Sequence, residues 1–285
     1  MRLPNFKCNT CDGIYSSFDI HFTSNCDNCC SYCIDSINRC HSSTIPDVDK
    51  IIDTIKKYQD GFDDVLFLGG EPCLYLEELI DCIKKIKQYT NLKVYVTTSV
   101  PYTCSLNREK FIELIELVDG LNISAQHYCE DIADEIRHTT SQFDRQEFYS
   151  NLPYKSKIRI NLNLLKSYLD TREEIINCLH HYDNMGFGSI LLRELQHSPN
   201  HFVSYEAVMG IKLPSAYAYG CQTNLTIPGE TFSTPILLSR SCSIVENSVN
   251  ASWSDVFKSF IKIFKASPDN KFGVVWEDGS FTEGW

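Results

Sequence analysis

From residue 18 to residue 195, short apolar runs rich in β-branched and aromatic residues alternate with helical patterns, and this alternation restricts the fold more than any other feature. Phe18–Phe22, Val65–Leu68, Leu92–Thr98, Leu121–Ala125, Ile158–Leu165 and Ser189–Leu195 read as strands. Val65-Leu66-Phe67-Leu68 is continuously apolar, as expected of a strand covered on both faces. Between the strands, Thr44 is the expected N-cap of a helix over Ile45–Gln59, with Pro46 in its first turn. Val48, Ile51, Ile52, Ile55 and Tyr58 fall on one face of it. Leu76, Leu79, Ile80, Ile83 and Ile86 mark a second helix, and Asn107–Leu117 a third. Thr171-Arg172-Glu173-Glu174 is a capping box that opens another, closed by Gly186. Such alternation demands a parallel sheet with right-handed crossovers. Six βα units fall short of the eight that close a full barrel. The predicted fold class is therefore α/β, a partial (β/α)6 TIM barrel open on one side.

After residue 196 the rhythm stops. Residues 197–250 are rich in Ser, Pro, Asn and Gly, and read as an irregular C-terminal extension. Ser254–Lys265 reads as one helix. Phe272–Trp276 and Ser280–Thr282 read as a hairpin joined by an Asp278-Gly279 turn. The expected organisation is an N-terminal segment over 1–16, a barrel over 17–196 and an extension over 197–285.

Composition excludes several functions. A net charge of −11 argues against binding a bare nucleic-acid backbone, which needs clustered Lys and Arg. There is no run of 18 apolar residues to span a membrane. Met1–Cys11 has no apolar core of a secretion signal, so the expected location is the cytoplasm. The 14 cysteines are then expected to be reduced: metal ligands, reactive thiols or small buried apolar groups.

The chemistry concentrates just after the first strand. Cys26, Cys30 and Cys33 form a Cys-x3-Cys-x2-Cys run, with Tyr32 directly before the last thiol. Three thiolates on one short loop suit three irons of a [4Fe–4S] cube and leave the fourth iron open to a small molecule. Cys29 permits a rival register, Cys26/Cys29/Cys33. Just after the second strand stands Gly69-Gly70-Glu71-Pro72.

These two motifs, in this βα order, resemble the radical S-adenosylmethionine (SAM) superfamily over roughly residues 17–196. The register ending in Tyr32-Cys33 fits that family, with Cys30 as the middle ligand. The resemblance implies a [4Fe–4S] cluster on Cys26, Cys30 and Cys33, whose open iron takes the amino and carboxylate groups of SAM. It implies that Gly69, Gly70 and Glu71 meet the methionine amino group, with Glu71 as counter-charge, and that Tyr32 lies near the adenine. Ser124 matches a position that touches the ribose or carboxylate, and Asn161 and Asn163 lie on the corresponding fifth strand. Ile158-Arg159-Ile160-Asn161, Leu164-Leu165-Lys166 and Leu192-Arg193-Glu194-Leu195 look like strands of the molybdenum-cofactor GTP cyclase group. Reductive cleavage of SAM gives methionine and a 5′-deoxyadenosyl radical, which removes a hydrogen atom from a substrate.

For Ser124, Asn161 and Asn163 the plain alternative is a polar residue satisfying backbone groups at the barrel rim. Arg193 and Glu194 are weak catalytic candidates, or else a structural ion pair. Cys73 and Cys129 follow strand ends and are weak candidates for donating a hydrogen atom to a product radical. His21, His127, His180, His181, His197 and His201 show no metal-ligand spacing with partner carboxylates.

Cys8 and Cys11 form a Cys-x2-Cys pair before the first strand, and Cys221 and Cys242 lie in the extension. The SPASM and twitch groups of the superfamily hold an auxiliary Fe–S cluster in such an extension. These four thiols are the candidates for a second cluster; the alternative is an N-terminal thiol pair without metal. The expected partners are SAM, a peptide or small-molecule substrate and an external electron donor of flavodoxin or ferredoxin type. A nucleotide substrate is the enzymatic rival. A plain Fe–S or zinc carrier lacks any use for GGEP or six βα units.

Overall fold

The computed structural model describes residues 17–33, 45–60, 62–140, 143–195, 198–213, 222–240 and 272–282. Its strands are β1 (Ser17–Thr23), β2 (Asp64–Gly69), β3 (Lys93–Thr98), β4 (Gly120–Ser124), β5 (Ile158–Leu164), β6 (Ser189–Glu194), β7 (Gln222–Asn224), β8 (Ile236–Arg240), β9 (Phe272–Trp276) and β10 (Phe281–Thr282). Its α-helices are α1 (Val48–Tyr58), α2 (Leu76–Tyr89), α3 (Tyr102–Leu106), α4 (Arg108–Leu117), α5 (Glu130–Arg137), α6 (Arg145–Ser150), α7 (Arg172–Asn184) and α8 (Tyr205–Met209). Strands β1 to β6 pair in sequence order, all parallel, as the βα alternation requires.

Two expectations need correction. The sheet does not stop at residue 196. Strand β8 adds in parallel beside β6, and β9 adds in parallel beside β1. The short edges β7 and β10 then cap the row antiparallel, giving the order β10-β9-β1-β2-β3-β4-β5-β6-β8-β7. The sheet is thus mostly parallel and not closed, a partial barrel. The expected hairpin is present, with Gly279 at φ +79° in its turn, but its first strand also extends the barrel. Second, α1 begins at Val48 rather than Ile45. Asp47 caps it by accepting from Lys50 N at 3.1 Å, one turn later than the cap expected at Thr44. The expected helix over 254–265 lies outside the described residues.

Side chains alternate along each strand, and the two faces differ in chemistry. Phe18, Ile20, Val65, Phe67, Val96, Leu121, Ile160 and Leu192 join one core with Ile51, Leu79, Phe111, Leu114 and Ile175 of the helices. Burying each such side chain contributes about 1.5–3 kcal/mol. The opposite face looks into the barrel. A closed barrel fills that space with Val, Ile and Leu; here it carries Asn122, Ser124, Arg159, Asn161, Asn163 and Arg193 on β4 to β6.

Candidate functional site

The end of β2 is pressed against the chain that leaves β1. Gly70 N donates to Thr23 O and Glu71 N to Asn25 O, both at 2.7 Å. A Cβ on Gly70 would stand 2.1 Å from Asn25 O, and one on Gly69 would stand 2.6 Å from Thr23 O. Gly69 also sits at φ +122°, which only glycine adopts freely. The two glycines therefore first let protein backbone meet protein backbone, immediately before Cys26.

Glu71 is buried and holds four donors. One carboxylate oxygen accepts from Cys73 N (2.9 Å) and Thr98 Oγ1 (2.7 Å). The other accepts from Ser99 N and Ser99 Oγ, each at 2.6 Å. Burial pushes its pKa up, and the four donors oppose that push. Direct contact with a ligand's amino group requires one of these donors to give way, so as the protein stands Glu71 is a counter-charge acting through space. Its donors tie the ends of β2 and β3 together. Ser99 Oγ also accepts from Asn28 Nδ2 at 2.8 Å, which extends the tie to the cysteine loop. Val100 follows at φ +56°, a costly conformation for a β-branched residue. Its carbonyl accepts from Arg145 Nε at 3.3 Å, and its own N–H donates to Thr98 Oγ1 at 2.9 Å.

On the loop, Cys26, Cys30 and Cys33 are half-buried and Cys29 is exposed. Cys29 N donates to Arg137 O (2.8 Å), and Cys33 N donates to Cys30 O (3.1 Å). Burial pushes the Cys30 thiol up, a hydrogen bond with Tyr32 lowers it, and the charge of Cys33 raises it. Among the described residues no three His, Cys, Asp or Glu side chains converge as ligands of one metal ion would. A [4Fe–4S] cube puts each thiolate on its own iron, so its three ligands need not converge on one point. Tyr32 is buried against Ile136, Leu165 and Leu195, with Cys30 packed alongside.

Three groups around this loop escaped sequence reading. His201 accepts or donates at both ring nitrogens, to Ser31 Oγ (2.9 Å) and Ser198 Oγ (2.8 Å), and meets the Tyr32 ring edge to face. Arg137 is fully buried; its guanidinium donates to Ala125 O at 2.8 Å and lies 3.5 Å from Glu130. No hydrogen bond reaches its Nε. Glu277, from the turn after β9, accepts from Ser24 N at 2.6 Å, and its carbonyl accepts from Asp47 N at 2.9 Å. One C-terminal residue thus fixes both the entry to the cysteine loop and the start of α1. Glu277→Ala is expected to lower Tm by about 3 °C, from a charge-assisted bond worth about 1 kcal/mol. Differential scanning of the apoprotein measures it.

The barrel interior is layered by strand register. Thr97, Asn122, Arg159 and Ser189 form one rung, and Ser124, Asn161, Leu191 and Leu237 the next. Asn163, Arg193 and Ser239 form the last, at the carboxyl ends. Asn122, Arg159 and Asn161 are buried, Ser124 and Asn163 half-buried, and Arg193 exposed, so the lumen opens toward the cysteine loop. Asn163 Nδ2 donates to Gln126 Oε1 at 3.3 Å. His21, on β1, lies on this face too, its ring 5.0 Å from that of Trp276.

The remaining candidates fall elsewhere. Arg193 and Glu194 point to opposite faces and form no ion pair; Glu194 instead accepts from Tyr205 N at 2.8 Å at the start of α8. Cys73 is fully buried in the helix-facing core, away from the lumen, which removes it as a hydrogen-atom donor. Cys129 is half-buried ahead of α5. Of the capping box, Thr171 caps α7 at Glu174 N, but the Glu174 carboxylate is drawn to His127 Nε2 at 2.8 Å. Cys8, Cys11, Cys221 and Cys242 lie outside the described residues.

The Radical SAM superfamily model matches residues 20–150. No curated protein sequence matches the chain. Among solved structures the chain resembles Streptococcus suis SuiB bound to precursor peptide SuiA, with a TM-score of 0.61 and 12% identity over 95% of this chain and 59% of that one. It spans about three fifths of the length of that protein. Two further likenesses are weaker and add nothing to the fold assignment. They are anSMEcpe with bound AdoMet and the peptide Kp18Cys (TM-score 0.48, 15% identity, 63% of this chain and 51% of that one) and Escherichia coli coproporphyrinogen III oxidase HemN (0.40, 11%, 63% and 44%). The β1 loop and GGEP turn fall inside the matched segment, so residues 20–150 match the radical SAM superfamily, and they sit on a partial barrel. That superfamily defines a class of enzymes whose cofactors are a [4Fe–4S] cluster and SAM. No helix among the described residues is long and apolar enough to cross a membrane.

Proposed function

We propose that the chain is a radical SAM enzyme acting on a peptide, with a small metabolite as the alternative substrate. The observation that carries this reading is the GGEP turn hydrogen-bonded to the chain entering the Cys26/Cys30/Cys33 loop, at the open end of a polar lumen. Cys26, Cys30 and Cys33 would hold the cluster. When bound, the cluster and SAM supply a 5′-deoxyadenosyl radical that abstracts a hydrogen atom. The protein's own part is to bind, orient and exclude water. Gly69 and Gly70 would present backbone to the methionine end of SAM, Ser124, Asn161 and Asn163 would line its other side, and Tyr32 would wall the adenine. Burial raises the Cys30 and Tyr32 pKa values, and the positive charge of Arg137, buried behind the loop, opposes that rise.

A peptide is favoured over a nucleotide because the likeness to a protein crystallised with its precursor peptide extends over 95% of the chain. The chain's −11 charge also disfavours a polyphosphate. The deciding experiment is anaerobic reconstitution with iron and sulfide, reduction with dithionite and chromatography for 5′-deoxyadenosine. Its appearance from SAM supports the reading; iron uptake without any SAM cleavage identifies a carrier instead. Flavodoxin or ferredoxin would replace dithionite in the cell.

Cys8, Cys11, Cys221 and Cys242 are proposed to hold an auxiliary Fe–S cluster. A variant with Cys26, Cys30 and Cys33 all replaced by alanine is expected to retain iron after reconstitution. Iron-free protein from that variant would exclude a second cluster.

A further inference from the structure

The lumen contains a charge that nothing assigned so far uses. Arg193 closes the last rung of β6, beside Asn163 of β5 and Ser239 of β8. It keeps accessible surface, yet protein atoms crowd it closely enough to pull its pKa below that of a free arginine. It stands at the mouth of the lumen, exposed on the lumen face. The guanidinium stays charged regardless. Among the described residues no carboxylate pairs with it, whereas the buried Arg137 and Arg145 pair with Glu130, and Arg145 also with Asp134. An exposed guanidinium at the mouth of the lumen, with no carboxylate beside it, is placed to take an anion from a ligand.

Deeper in the same lumen, two buried amides have an unused polar atom. Asn161 Oδ1 and Asn122 Oδ1 meet no hydrogen-bond partner, and both residues are at least 95% buried. They lie on successive rungs below Arg193, on the same face. The amides suit a neutral polar group such as a peptide bond. Two buried acidic residues, Asp19 of β1 and Asp64 of β2, also alternate onto the lumen face.

We propose that Arg193 is the anion subsite for the substrate, taking a carboxylate while Asn161 and Asn122 meet the amide portion behind it. The substrate class is therefore a carboxylate-bearing peptide or amide. This deepens the proposed function and rests on it, because the lumen is the substrate chamber only if SAM binds at its mouth. The carboxylate belongs either to an acidic side chain of a peptide or to a free organic acid.

The test uses the reconstituted full chain with SAM present and three probes: acetyl-Gly-Glu-Gly-amide, acetyl-Gly-Gln-Gly-amide and glutarate. Saturation-transfer NMR reads their affinities for wild type, Arg193→Gln and Arg193→Lys. The Glu peptide should bind wild type about tenfold more tightly than the Gln peptide, the equivalent of one charge-assisted hydrogen bond. Arg193→Gln should erase that preference, and Arg193→Lys should keep part of it. Glutarate binding weaker than the Glu peptide identifies a peptide as the source of the carboxylate; equal binding identifies a free acid. Two results overturn the proposal. One is equal or absent binding of the Glu and Gln peptides to wild type. The other is loss of SAM affinity in Arg193→Gln in step with peptide affinity, which places the guanidinium at the cosubstrate. Failure of wild type to cleave SAM is a different outcome and sinks the proposed function itself.

Discussion

Replacing Cys30 with alanine is expected to reduce 5′-deoxyadenosine formation to background, whereas replacing its neighbour Cys29 leaves it within about twofold of wild type, the span of a surface change worth about 0.5 kcal/mol. The two thiols are adjacent in sequence but differ in setting. Cys29 is exposed, and its backbone N–H is committed to Arg137 O, a contact that any residue at that position keeps. Cys30 is half-buried, packs beside Tyr32 and lies close enough to Cys33 for their charges to interact. Loss of one of three cluster thiolates leaves an iron without its protein ligand, and metal affinity follows ligand count. Iron per chain and the visible absorbance of the reconstituted protein provide an independent readout. Cys29→Ala should match wild type in both, and Cys30→Ala should fall well below it. The reverse pattern would move the middle ligand to Cys29 and invert the register.

The difference between these cysteines shows what the sequence can and cannot convey. Spacing alone permits both registers; the structure adds that Cys29 is exposed and Cys30 half-buried. The same holds across the fold. β1 to β6 are legible because each is a compact apolar run followed by its own helix, so local pattern and tertiary role agree. β8 and the parallel pairing of β9 are not, because their partners are supplied by distant segments: β9 lies beside β1, some 250 residues earlier. The hairpin turn at Asp278-Gly279 was readable, but nothing local says that its first strand extends a parallel sheet. At the site, GGEP was readable as a motif, while its mechanical role was not. Its glycines serve contact with Thr23 and Asn25, and Glu71 serves Thr98 and Ser99, all of them tertiary facts. Arg137 and Glu277 gave no signal because a single charged residue on a helix or in a turn reads as solvated. Arg193 did give one: a charge at the end of an otherwise apolar strand. Its facing was the missing information, and period-two alternation set against the helix-facing core supplies that.

Gly70→Ala is expected to be the most damaging single methyl in the domain. A Cβ at this position stands 2.1 Å from Asn25 O and 2.6 Å from Asn25 C, and both obstacles are backbone. No rotamer change relieves them. The end of β2 must withdraw from residues 23–25, which breaks the 2.7 Å bonds from Gly70 N to Thr23 O and from Glu71 N to Asn25 O. Overpacking of this kind costs about 3 kcal/mol, the upper part of its usual range. Tm should fall by about 6 °C or more, given about 2–4 °C per kcal/mol. The functional loss should be larger than the stability loss, because the displaced segment leads directly into Cys26. Iron uptake should fall severalfold at temperatures where circular dichroism still shows a folded barrel. Gly186→Ala is the matched control. It sits at φ +77° with nothing within 4 Å of the added carbon, so it incurs left-handed strain of about 1 kcal/mol and no collision. A Gly70→Ala protein that binds iron as well as Gly186→Ala would show that the GGEP turn does not position the cysteine loop. The remaining role for those glycines would then be contact with SAM, and a SAM titration of the same variant would detect its loss.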